Sequence, residues 1–137
     1  MYPEQIVAPM KAEVTSHGFQ ELLSVEDVDK TLKQKGTTLL FINSVCGCSA
    51  GTARPGVVMA VQNATKVPDR LTTSFAGFDV DAVKQARSYL LPYPPSSPSI
   101  ALLKDGKPVH VIERHHIEGR SAQMIAANLL QAFETYC

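Results

Sequence analysis

Residues 37–49 read TTLLFINSVCGCS and join an apolar run to a turn that carries two cysteines. The run Thr37–Ile42 is short and rich in β-forming residues, and its apolar side chains are consecutive, which is typical of a strand covered on both faces. We therefore predict a central strand that delivers Cys46 and Cys48 to the start of a helix. Unpaired backbone N–H groups at a helix start stabilise a thiolate, so this position favours thiol–disulfide chemistry.

The residues before this strand predict two helices, and with them a helical extension over about residues 1–36. Apolar residues at helical spacing begin at Pro3 and stop at Gly18, with Pro9 inside the pattern, which indicates a kinked or restarted helix. Ser24 is the expected N-cap of the second helix, which ends near Gly36.

After the cysteines, predicted helices alternate with extended runs. They are a kinked helix over 50–64, an extended run over 71–80, a helix over 81–91, strands over 100–103 and 109–112, and a helix that begins at Ser121. Four prolines in residues 92–99 exclude regular structure there. The pair Asp105-Gly106 between the last two strands predicts a hairpin. This order predicts an α/β fold with a central mixed sheet and helices on both faces.

The composition predicts a single domain over residues 1–137. The chain has 45% hydrophobic residues, and its 13 basic and 13 acidic side chains balance without a run of like charge. We therefore expect no nucleic acid and no membrane as partner. No leader or spanning segment is apparent, which predicts a cytoplasmic protein. The 3 cysteines are too few for a secreted disulfide framework and point to redox or metal chemistry.

The run Asn43–Cys48, with its C-G-C, resembles the bacilliredoxin family of bacterial thiol–disulfide proteins. Residues Ala53–Pro55 and Ile117–Ser121 extend the resemblance, which covers almost the whole chain. It implies a thioredoxin-like three-layer sandwich, in which Cys46 is the nucleophile and Cys48 the second redox cysteine.

The resemblance also implies a substrate-binding position. Pro98 matches the thioredoxin-fold proline that is usually cis, and a cis Ser97–Pro98 bond would leave a backbone edge beside Cys46 for an extended thiol substrate. Gly47 is expected to permit the tight ring that a disulfide at this spacing requires. Arg54 either raises the positive potential near the thiolate or points to water.

Departures from thioredoxin itself argue against a general reductant. A single glycine separates the cysteines, Val45 stands in place of a tryptophan, and Leu40 occupies the position of the buried acid. A disulfide between residues two apart is strained and easily reduced, so the pair should be a weak reductant of ordinary disulfides.

The family resemblance implies a more particular reaction. Cys46 would attack a protein–bacillithiol mixed disulfide, and Cys48 or a second small thiol would then resolve the adduct. The expected partners are thiolated client proteins and bacillithiol as co-substrate, with no other cofactor and no metal. The reductant that regenerates the protein and the oligomeric state stay open.

Two alternatives use the same motif. One is protein disulfide isomerase or oxidase activity. The other is a zinc or copper protein without redox turnover, in which His115, His116 or Cys137 would complete the ligand set begun by C-G-C. Cys137, the last residue, is either a resolving thiol or incidental.

Overall fold

The computed structural model describes residues 1–137. The elements are α1 (Glu4–Thr15), β1 (Gln20–Glu21), α2 (Val25–Leu32), β2 (Thr37–Asn43), a π-helical segment (Ser49–Ala53) that leads directly into α3 (Arg54–Asn63), β3 (Arg70–Phe75), α4 (Val80–Ser88), β4 (Ser99–Lys104), β5 (Lys107–Ile112), α5 (Arg114–Ile117) and α6 (Ala122–Tyr136).

The strands form one mixed sheet in the order β1-β3-β2-β4-β5. The pairs β1–β3 and β3–β2 are parallel, whereas β4 runs antiparallel to β2 and β5 antiparallel to β4. All residues of β2 are buried, and Leu40 pairs with Thr72 in β3 and with Ala101 in β4. The predicted central strand and mixed sheet are confirmed.

Alternate residues of β2 supply two separate hydrophobic cores. Leu39 and Phe41 pack with α3 and α6 on one face, and Leu40 and Ile42 pack with α2 and α4 on the other. Each of these fully buried side chains contributes about 1.5–3 kcal/mol of burial free energy. The result is the predicted sandwich of a sheet between two helical layers.

Most of residues 1–36 belong to this sandwich. The short strand β1 pairs with Thr72 and Thr73 of β3, and α2 packs against α4. The predicted helical extension is therefore shorter than expected, because only α1 precedes the sheet. This helix is continuous through Pro9, and Lys11 Nζ donates a hydrogen bond to Asp79 Oδ1 at 3.1 Å.

The predicted extended run over 71–80 ends early, at Phe75. Gly77 has a φ of +81°, and Asp79 Oδ2 accepts a hydrogen bond from the Phe75 N–H at 3.0 Å. This turn allows α4 to begin at Val80, which the sequence had placed in the strand.

Hairpin and cap predictions are confirmed. Asp105 and Gly106 have φ values of 53° and 81°, as a two-residue β-turn between right-twisted strands requires. The hydroxyl groups of Ser24 and Ser121 accept hydrogen bonds from Asp27 N–H and Met124 N–H, respectively. The longest helix, α6, has 15 residues, and no helix combines the length and apolar character needed to cross a membrane.

Candidate active site

Cys46 lies between the end of β2 and the first helical turn. Its backbone N–H donates to Ser44 Oγ at 3.2 Å, and its carbonyl accepts from the N–H groups of Ser49 and Ala50 at 2.9 and 3.2 Å. The helix therefore begins directly after Cys46, which places the backbone N–H groups of Cys48 and Ser49 beside the thiol.

The thiols of Cys46 and Cys48 are free, and their Sγ atoms lie 2.8 Å apart. The hydrogen bond from Cys48 lowers the pKa of Cys46, and the N–H groups of Cys48 and Ser49 and the charge of Arg114 act in the same direction, against burial. Burial raises the pKa of Cys48, and its contact with Cys46 raises it further. Cys46 is therefore the thiol that ionises first, as a nucleophile must.

Asn43, the last residue of β2, fixes the loop that carries the thiols. Its Oδ1 atom accepts hydrogen bonds from Ser44 N–H, Ser49 Oγ and Arg54 Nε at 2.8, 2.9 and 3.0 Å. Its Nδ2 atom donates to the carbonyl of Met10 in α1 at 3.2 Å. One buried amide thus ties the strand, the π-helical segment, α3 and α1 together.

Arg54 does not point to water, which was one of its two sequence-based expectations; the other, a positive potential near the thiolate, stays a prediction, and Arg114 is the charge that lowers the pKa of Cys46. Only 2% of Arg54 is exposed. Besides Asn43, its guanidinium donates to Ser44 O at 3.0 Å and to Glu13 Oε2 at 2.6 Å. It supports the loop as a structural cation, because a buried charge requires such partners.

Gly47 has open space around it. A Cβ there would meet no atom within 4 Å, and its φ lies outside the left-handed region. The dithiol form therefore does not require glycine at this position. The expected need for glycine in the disulfide ring stays a prediction.

An open cleft of about 540 Å³ exposes Cys46 to solvent. Its wall includes Ser44, Gly77, Arg87, Ser97 and Arg114. The structure thus brings the predicted substrate-binding residue Ser97 to the same cleft as Cys46, the predicted nucleophile. The Ser97–Pro98 peptide bond is cis, as predicted, and Pro98 is buried.

Arg114 was not predicted from the sequence. Its backbone N–H donates to Ser96 Oγ at 3.3 Å, Nη1 to Ser97 O at 3.4 Å, and Nε to Glu118 Oε1 at 2.7 Å. A topological signal exists, because β5 returns antiparallel to β4 and pairs Ile112 with Ile100. Residues that follow β5 must therefore lie at the end of the sheet that carries the thiols.

The other candidate metal ligands do not form a group with the two thiols. His115 and His116 are in α5, and their donor atoms and those of Glu113 lie within 4.8 Å of one another, in a cluster that includes neither Cys46 nor Cys48. Cys137 contacts Thr37, at the opposite end of β2 and hence about 20 Å from the start of the thiol loop. Within one chain, Cys137 does not reach Cys46 as a resolving thiol.

Comparison with known proteins assigns the family. A family model described as Disulphide isomerase matches residues 2–137. A bacilliredoxin of Cytophaga hutchinsonii is 58% identical over 134 residues, which cover 98% of each chain. Bacilliredoxins of Salinibacter ruber and Geobacillus kaustophilus are 51% and 49% identical, each over 99% of this chain and over 81% and 94% of their own.

Solved structures support the fold. Oxidised thioredoxin from Plasmodium falciparum matches with a TM-score of 0.58 at 18% identity, over 86% of this chain and 97% of its own. A structure concerned with thiol resolution in yeast mitochondrial 1-Cys peroxiredoxin matches with a TM-score of 0.60 at 17% identity, over 85% and 94%. With its thioredoxin fold and paired thiols, the chain belongs to the bacilliredoxin family and is a thiol–disulfide oxidoreductase.

Proposed function

We propose that this protein removes bacillithiol from S-bacillithiolated cytoplasmic proteins through Cys46 and Cys48. The observation that carries the proposal is the 2.8 Å contact between the two Sγ atoms, with the more acidic thiol in an open cleft. A cleft accommodates a bulky mixed disulfide, and the close second thiol suits the resolution of an adduct. Membership of the bacilliredoxin family supports a thiol–disulfide exchange reaction at these cysteines.

In the first step, the Cys46 thiolate attacks the bacillithiol sulfur of the mixed disulfide. A bond forms between Cys46 Sγ and that sulfur, and the bond to the client sulfur breaks. The client leaves as a thiolate, which takes a proton from solvent. One disulfide replaces another, so the step needs no external oxidant or reductant.

In the second step, Cys48 attacks Cys46 Sγ and expels bacillithiol, which leaves a Cys46–Cys48 disulfide. The 2.8 Å separation of the Sγ atoms supports this route over resolution by a second small thiol. The raised pKa of Cys48 keeps it protonated during the first step, so a proton must leave it before it attacks. A reducing thiol returns the pair to the dithiol and itself becomes a disulfide.

Ser97 and Pro98 are proposed to receive the client segment next to the modified cysteine. Ser97 lies in the cleft wall with Cys46, and Pro98 is buried behind it at the start of β4. Backbone groups at this edge could pair with an extended client segment as a strand would, which gives affinity without strong sequence preference.

The direct test uses a purified client that carries bacillithiol on one cysteine. The reduced protein should remove the bacillithiol mass from the client within minutes at substoichiometric amounts when a reducing thiol is supplied, as followed by intact-mass spectrometry. The same reaction without protein is the control. A client that keeps its adduct at the uncatalysed rate would overturn the proposal.

Disulfide isomerisation is the second candidate, supported by the Disulphide isomerase description of the matching family. It is distinguished by incubating the reduced protein with a client whose disulfides are scrambled. Recovery of the native pairing together with an unchanged bacillithiol adduct in the first assay would favour isomerisation.

A further inference from the structure

We infer that Arg87 and Arg114 form an anion-binding subsite beside Cys46, which holds the carboxylates of the small-thiol half of a mixed disulfide. The inference rests on the proposed function and extends it to the chemical class of the small thiol. It identifies the two side chains that would select a carboxylate-bearing thiol over a neutral or cationic one.

The first argument is the charge of the cleft. The side chains that line it include the two guanidinium groups of Arg87 and Arg114 and no carboxylate. The chain as a whole has a formal net charge of +0. The local excess of positive charge at the nucleophile is therefore a property of this cleft and not of the protein surface in general.

The second argument is the geometry of the two arginines, which come from α4 and α5. Arg87 Nη1 donates to Ser96 O at 3.0 Å, and Arg114 Nη1 donates to Ser97 O at 3.4 Å. Two guanidinium groups are thus anchored to consecutive carbonyls of the loop that faces Cys46. Both side chains also line the cleft that contains Cys46, so an anion bound beside the thiol is attracted by both positive charges.

The third argument is that Arg87 lacks a counter-ion. It is half-buried, burial lowers its pKa, and it has no carboxylate within 4.0 Å. Glu113 and Arg87 line one small neighbouring cavity, but the Glu113 carboxylate is not within ion-pair distance of the Arg87 guanidinium. A partly desolvated cation held by one neutral carbonyl gains from a carboxylate, which can accept two parallel N–H bonds from it.

Arg114 keeps donors available as well. Its Nε donates to Glu118, and 47% of its side chain is exposed. The N–H groups that remain free are on the two Nη atoms, of which Nη1 also donates to Ser97 O. A small thiol that carries a carboxylate therefore fits this pair of cations better than a neutral or cationic one.

The experiment measures charge selectivity at Cys46 with small disulfides instead of clients. A Cys48→Ala protein is reacted with the symmetrical disulfides of 3-mercaptopropionate, 2-mercaptoethanol and cysteamine, which are anionic, neutral and cationic. Adduct formation is followed by mass spectrometry. The anionic-to-neutral rate ratio is divided by the same ratio for free N-acetylcysteine amide, which removes the intrinsic repulsion between thiolate and anion.

The expected normalised ratio is well above one, and Arg87→Gln or Arg114→Gln in the same background should reduce it roughly tenfold, as loss of a charge-assisted hydrogen bond does. Arg114 also promotes ionisation of Cys46, but that effect changes the rates with the anionic and the neutral disulfide by the same factor, so their ratio is unchanged. Arg87→Lys and Arg114→Lys should retain part of the selectivity. Arg120→Gln, an exposed arginine outside the cleft, should retain all of it.

A normalised ratio near one in the starting protein, or a ratio unchanged in both glutamine variants, would overturn the subsite. Because Arg87 is half-buried, each variant is first checked for an unchanged unfolding midpoint, and Arg87→Lys serves as the reference if the glutamine variant is unstable. The assay uses no bacillithiol, so a failure of the proposed function in the client assay is recognised separately from a failure here.

Discussion

Cys48 Sγ lies 2.8 Å from Cys46 Sγ, and this hydrogen bond is the largest influence that lowers the pKa of Cys46. The two thiols therefore have different roles before any substrate arrives. Cys46 is the thiol whose ionisation is favoured, and a hydrogen bond from Cys48 stabilises its thiolate. The first prediction follows from this asymmetry.

Replacing Cys48 by alanine should raise the pKa of Cys46 towards the usual value of a free thiol, about 8.5. The sign follows because the variant removes the donor that stabilises the thiolate, so a higher pH is needed to form it. Cys48→Ser keeps a hydroxyl donor and should raise the pKa less. The measurement is the pH dependence of Cys46 alkylation by iodoacetamide, with peptide mapping to separate Cys137. Identical midpoints in all three proteins would contradict the assignment.

The order of attack gives a second prediction. With a bacillithiolated client and no other thiol, Cys48→Ala should accumulate a bacillithiol adduct on Cys46, whereas the unaltered protein should lose two hydrogens as its disulfide forms. Cys46→Ala should form neither product. Intact-mass spectrometry distinguishes the three outcomes, and an adduct on Cys46→Ala but not on Cys48→Ala would reverse the roles.

Arg54 should be critical for stability. Arg54→Met removes three hydrogen bonds to Asn43, Ser44 and Glu13, and leaves buried acceptors without a cation, so we expect a loss of about 2–4 kcal/mol in the free energy of unfolding. Glu13→Gln is the matched control. Because the Glu13 side chain is 47% exposed, loss of its charge should lower the free energy of unfolding by at most about 1 kcal/mol. Urea unfolding measures both, and equal losses would contradict this account.

Close packing between α3 and α6 gives a fourth prediction. A Cβ on Gly56 would lie 2.9 Å from Ile125 Cγ2 and 3.3 Å from Ala122 O, so Gly56→Ala should cost about 1–3 kcal/mol despite the better helix propensity of alanine. A Cβ on Gly51 would meet nothing within 4 Å. Gly51→Ala should therefore be neutral or stabilise by up to about 1 kcal/mol. If the urea unfolding midpoints shift alike in both variants, the close approach of Gly56 to α6 does not determine the cost of the added methyl group.

The fold was predictable where adjacent residues carry the signal. The apolar run of β2, the Asp105-Gly106 turn and the serine caps each specify structure within a few positions, and each is confirmed. The strand β1 was missed because Gln20–Glu21 has no β-pattern of its own. It is a strand only because Thr72 and Thr73 pair with it.

The candidate site was predictable to a smaller extent. Cys46 and Ser97 were placed together through the family resemblance, and the structure brings them to one cleft. Arg87 and Arg114 were missed, because each comes from a helix distant in sequence and only the topology brings them together. The burial of Arg54 did have a sequence signal, since it is the one charged residue between Gly47 and Thr65.

The links from α1 to the thiol loop have a consequence for how the protein is handled. Met10 O accepts a hydrogen bond from Asn43, and Glu13 accepts one from Arg54. Two residues of α1 therefore bind the two side chains that fix the thiol loop. Reactivity at Cys46 is thus coupled to the N-terminal helix. A truncation that removes α1 would eliminate both links, so rates at Cys46 should be compared only between proteins that keep this helix intact.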